Sequence, residues 1–82
     1  MSTGQIVLAN HQRGMYAVQI QSGDITVFEL LGSIPPDLGD IISGNLDDSC
    51  SDSFYNQTQE EEIDIIVQAL GCTPLSARSL LS

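Results

Sequence analysis

The stretch "MYAVQIQSGDITVFELL", Met15 to Leu31, decides how this chain folds. Its first half alternates, with Tyr16, Val18 and Ile20 on one side of an extended strand and Met15, Ala17, Gln19 and Gln21 on the other. Its second half, Ile25 to Leu31, is rich in β-branched and aromatic side chains that pack well on a pleated surface. Between them "QSGD" supplies Gly23 and Asp24 for a tight turn, so the two halves predict a hairpin. Upstream, the apolar run Ile6 to Ala9 reads as another strand. It joins the hairpin through "NHQRG", where Asn10 and Gly14 tolerate left-handed backbone. Residues 4–31 therefore predict a three-stranded meander.

Downstream, "GSIPPDLGD" carries Pro35 and Pro36, which cannot donate ladder hydrogen bonds, and predicts a crossing loop followed by a fourth strand at Asp40 to Leu46. The chain then turns polar, "DDSCSDSFYNQTQEEE", interrupted by Phe54 and Tyr55; this predicts an acidic, mobile insertion over 47–62. "TQEEEIDIIVQALG" fits two patterns. Ile63, Ile66, Val67 and Leu70 have helical spacing, with Thr58 and Glu61 as a capping box, whereas Ile63, Ile65, Val67 and Ala69 fit period two. The β-branched run "IDIIV" favours a fifth strand. In "CTPLSARSLLS", Thr73 suits a helix cap and Pro74 the first helical position, with Leu75, Leu80 and Leu81 available to dock. A barrel over 1–72 and a docked C-terminal helix over 73–82 are the expected organisation.

The 82 residues make one domain, in which about 60% of the unfolded chain's surface is buried. No apolar run approaches the roughly 18 residues of a membrane-spanning helix, and "MSTGQIVLAN" lacks the basic and apolar regions of a secretory signal. The expectation is a soluble, cytoplasmic protein with no membrane partner, whose Cys50 and Cys72 are free thiols. Eleven acids against Arg13 and Arg78 give a formal net charge of −9. Such a surface repels polyanions, and two cations are too few for phosphate tracking.

A mainly β chain with a meander, a loop crossing and closing strands suggests a small five-stranded OB-type barrel with a short C-terminal helix. The residues themselves resemble the cold-shock domain. "GQIVLANHQRG" matches that family's opening stretch without a gap, through Gly4, Ile6, Asn10, Arg13 and Gly14, and "GDITVFELLGSI" aligns with its second nucleic-acid motif. "LGDIISGNL" and "IIVQAL" match more loosely. The resemblance implies single-stranded nucleic acid stacked on aromatic side chains of strands one to three, flanked by lysines. Here Arg13 and Phe28 are kept. The other positions of the platform fall at Val7, Leu8, Ala9, Met15, Ala17, Leu30 and Leu31. Tyr16 stands where the family tends to have glycine, and Glu29 where it has an inward apolar residue. Two registers of strand three follow: one exposes Phe28 and Leu30, the other turns both into the core.

In the exposed register Leu8, Met15, Phe28 and Leu30 form an apolar patch, unless the C-terminal leucines cover it. The candidate binding face is Leu8, His11, Arg13, Met15, Tyr16, Phe28 and Leu30. The candidate acidic patch is Asp47, Asp48, Asp52, Glu60, Glu61 and Glu62. His11 is the sole histidine, and no serine or cysteine motif places a nucleophile beside it. The aspartates lack the glycine and distal glutamate of an EF-hand loop. No cofactor, no metal site and no enzymatic activity are expected. The sequence points to an interaction module that binds a protein partner or itself, through the strand 1–3 face or the acidic loop. Weak single-stranded DNA or RNA binding through His11, Arg13, Tyr16 and Phe28 is the alternative.

Overall fold

The computed structural model describes residues 2–32 and 34–82. They form a mainly β molecule: β1 (Ser2–Asn10), β2 (Met15–Ile20), β3 (Ile25–Leu30), β4 (Ile41–Gly44), β5 (Ser53–Asn56), β6 (Glu61–Cys72) and α1 (Pro74–Leu81). The strands close into a barrel in the order β1-β2-β3-β6-β5-β4, with every pairing antiparallel. Two meanders, β1–β3 and β4–β6, are thus sealed by the β1–β4 and β3–β6 pairings.

The expected fold class holds, with six strands in place of five. The extra strand is β5, inside the stretch read as an acidic insertion. A ring with an odd number of strands cannot alternate direction all the way round, so a closed five-stranded barrel needs one parallel pair. β5 makes the ring even, and β6 can run antiparallel to β3. Its sequence signal is faint because the inward residues are Phe54 and Asn56, one apolar and one polar, while Tyr55 faces out. The candidate acidic patch is split as a result. Asp47, Asp48 and Asp52 precede β5 and Glu60, Glu61 and Glu62 follow it, so the two groups lie at opposite ends of that strand.

The segment that fitted both helix and strand is the strand β6. Ile63 and Ile65 are buried and Val67 packs against the same interior, as period two requires. β4 is shorter than expected, and the residues that flank it are buried at its two ends. Asp40 is buried at one end, and Leu46, fully buried at the other, accepts a 2.7 Å hydrogen bond from the Thr26 hydroxyl through its carbonyl.

Two apolar clusters lie on the two sides of the β1–β3 sheet. The interior holds Ile6, Tyr16, Val18, Phe28, Ile42, Leu46, Phe54, Ile63 and Ile65. Tyr16 stacks on Phe28 at 5.8 Å between centroids, and Phe28 meets Phe54 edge to face at 5.3 Å. On the outside, Met15, Ala17, Ile25 and Val27 are covered by Ala77 and Leu81 of α1, with Val7 and Leu8 packed alongside. A register shift between Ile6 and Leu8 lets Val7 and Leu8 both join this outer cluster while Ile6 and Ala9 pack with the interior.

Beside residues 35–40, one carboxylate oxygen of Asp40 accepts from Asn56 Nδ2 (2.9 Å), Gln59 Nε2 (2.8 Å) and the Asp37 amide (3.0 Å). Burial alone would raise the acid's pKa. The bonds from Asn56, the Asp37 backbone and Gln59 outweigh it and hold the pKa below the usual value. Gln59 also donates to the Pro35 carbonyl (3.2 Å), so the cluster ties the crossing loop to the β5–β6 turn.

Candidate interaction surface

The sequence-derived binding face is not assembled as one surface. Tyr16 and Phe28 are buried in the barrel interior and Leu30 packs against it, so strand three adopts the register that turns Phe28 and Leu30 inward. Met15 is buried beneath α1 with Leu8 beside it, and only His11 and Arg13 are exposed. The physical reason is that β2 and β3 are covered on both sides. "MYAV" and "ITVF" are four-residue runs buried without a break, which is how a strand with two dry faces reads. Stacking platforms need an aromatic face open to solvent, and the two aromatics of these strands have none.

Arg13 and Asn10 have another task. The Asn10 side-chain amide donates to the Leu81 carbonyl, and the Arg13 guanidinium donates to the carbonyls of Leu80 (3.3 Å) and Ser82. These oxygens belong to the last two residues of α1 and to its C-cap Ser82, where the helix dipole has its negative end and the carbonyls have no partners within the helix. The other end is closed by Thr73, whose hydroxyl accepts from the Ser76 amide at 3.2 Å. The turn after β1 therefore both reverses the chain and clamps the helix. The Asn10 carboxamide oxygen accepts from the Arg13 amide, which fixes the turn itself. Arg13→Gln is expected to speed amide exchange in the last turn of α1 about two- to fivefold while leaving the β-sheet amides protected. Hydrogen-exchange NMR reads this directly.

His11 Nδ1 and the Tyr16 hydroxyl share a 3.1 Å hydrogen bond, with the rings edge to face at 5.5 Å. Burial, and secondarily the Asp37 carboxylate, push the Tyr16 phenol up, so it stays protonated. The bond ties the exposed imidazole of the β1–β2 turn to a phenol whose ring is buried in the barrel. Among the described residues, no three His, Cys, Asp or Glu side chains converge on a position that would hold a metal ion. Asp48 instead accepts from the Cys50 amide at 2.8 Å, as in a local turn, and both cysteines are free thiols. No helix of the described residues is long and apolar enough to cross a membrane.

What α1 leaves exposed defines the candidate surface. Ala77 and Leu81, one turn apart, face the barrel; Leu75 and Leu80, expected to dock with Leu81, point elsewhere and are 78% and 41% exposed. Pro74, Arg78 and Ser82 follow at the same spacing along one flank, beside β1. There the helix and the barrel border two adjoining open hollows of about 160 and 380 Å³, which share Leu8 and Arg78. Arg78 escaped the sequence reading of the site; its signal was the spacing with Pro74, which places it at the helix flank. Both cations of the chain thus lie on the α1 side, while the acids are distributed over the barrel. Comparison with protein-family models, with characterised proteins and with solved structures gives no match for this chain.

Proposed function

We propose that this protein is a non-enzymatic interaction module: a small OB-like barrel that meets a protein partner through the side bearing α1. The observation carrying this reading is the division of labour in the helix. Two turns of chain cover the apolar outer face of β1–β3 with Ala77 and Leu81, and the same turns hold Leu75 and Leu80 out in water. Exposed leucines on an ordered, capped helix are a ready contact surface for a protein, whose association would gain by burying them. The kinship with cold-shock barrels extends, in this reading, to the fold. Single-stranded nucleic acid is the less favoured ligand because Tyr16 and Phe28 have no open ring face, Arg13 is committed to α1, and the net charge is −9.

The test compares wild type with a Leu75→Ser/Leu80→Ser double variant as baits in lysate of the source organism. A protein retained by wild type through a high-salt wash and nuclease treatment, and lost by the variant, supports the reading. Equal retention by both baits, or material released by nuclease, overturns it.

A further inference from the structure

The two cations in a chain of eleven acids differ in their situation. Arg13 is satisfied by helix carbonyls. The Arg78 guanidinium has no hydrogen-bond or ion-pair partner among the described residues, and no acidic side chain lines either hollow beside it. One hollow is walled by Val7, Leu8, Gln19 and Ile25 of the barrel and by Pro74 and Arg78 of the helix. The other continues past Leu8 and Leu81 to Gln12 in the β1–β2 turn. Together they make a trough along α1 with an apolar floor, amide side chains toward both ends and a single free positive charge at its middle.

We propose that this trough binds an extended peptide segment of a partner protein in which a carboxylate side chain stands next to an aliphatic or aromatic one. The carboxylate pairs with Arg78 while its apolar neighbour covers Leu8 and Val7. Gln12 has an unengaged carboxamide for the peptide backbone, whereas Gln19 already donates to the Gly23 carbonyl. Charge selects the class of occupant. A basic segment, which the rest of the acidic surface would attract, meets like charge here, and a neutral one leaves Arg78 without a partner. Shape selects a peptide over a free amphiphilic acid. The trough is open along its length and does not enclose a ligand on most sides, as small-molecule sites do. The proposal rests on the reading of the α1 side as the contact surface and names the chemistry of what binds there.

The test uses the full chain immobilised against a display library of short random peptides. Its expected result is enrichment of peptides with Asp or Glu beside Leu, Ile or Phe. The best of them, synthesised, should shift the amides of Leu8, Gln12, Gln19 and Arg78, and its affinity should fall about tenfold or more with Arg78→Gln, while Arg78→Lys keeps most of it. Arg78 is exposed, so neither variant disturbs the fold. Absence of enrichment, a basic or purely apolar consensus, or unchanged binding by Arg78→Gln overturns the proposal. So does concentration-dependent shifting of the same amides without peptide, which would make a second copy the occupant. A lysate partner kept by Arg78→Gln but lost by Leu75→Ser/Leu80→Ser would sink the trough and leave the module standing. A partner kept by both variants would sink both.

Discussion

Phe28→Ala is expected to remove about 3–5 kcal/mol of folding free energy, the usual cost of truncating a fully buried phenylalanine. The side chain is 0% exposed and sits between Tyr16 and Phe54, so its loss leaves a void lined by two rings and strips each of a neighbour. A domain this small has roughly 5–15 kcal/mol in total, so the variant should lose a large share of its stability and unfold at a much lower urea concentration than wild type. Phe28→Leu, which keeps more of the volume, should cost less and stay folded, allowing a full urea transition to be recorded. The measurement also decides the register of β3. A phenylalanine on an open stacking platform would tolerate alanine to within about 0.5 kcal/mol, as surface positions do.

Asp40→Asn is expected to cost about 1.5–3 kcal/mol at neutral pH, because it replaces the charged acceptor of three donors by an amide that brings donors of its own. The effect should depend on pH in a definite direction. The folded protein holds the Asp40 carboxyl below its ordinary value, so the fold favours the charged form. That stabilisation is complete above the unfolded value of about 3.9 and disappears as pH falls through the lower folded value. Wild type and variant should therefore converge in strong acid. Comparing them isolates Asp40 from the general relief of self-repulsion that acid brings to a chain of net charge −9. A difference that stays constant from neutral pH to strong acid would mean that the Asp40 charge does not hold the crossing loop.

Much of the architecture was legible because it is written in period two. β2 places Tyr16, Val18 and Ile20 inward as its alternation says, and Thr73 and Pro74 begin α1 where capping chemistry puts them. The hidden features break the period. β5 hides behind a buried asparagine. The shift in β1 turns two consecutive apolar residues, Val7 and Leu8, to the same side, which no alternation rule anticipates. The candidate site was less legible, for a reason of the same kind. A run such as "ITVF" shows that a strand is apolar, but whether its outer side is an open platform or lies under a helix depends on where α1 lands. That is fixed by Ala77, Leu81 and the clamp from Asn10 and Arg13, all distant in sequence from β3. A resemblance in sequence speaks to the barrel more than to a ligand, since the positions it would assign to stacking bases lie here in the core and under the helix.

The aromatic and apolar residues of β1–β3 fill the barrel interior and the seat of α1, which leaves no open platform for bases. An NMR titration of the labelled protein with short oligo-dT and oligo-U at low salt, following the amides of Arg13 to Ala17 and Thr26 to Leu30, tests this. Those amides are expected to stay in place throughout the titration. Salt-sensitive shifts confined to these segments would contradict the account, because they would require Tyr16 and Phe28 to present to nucleic acid the ring faces that the barrel buries.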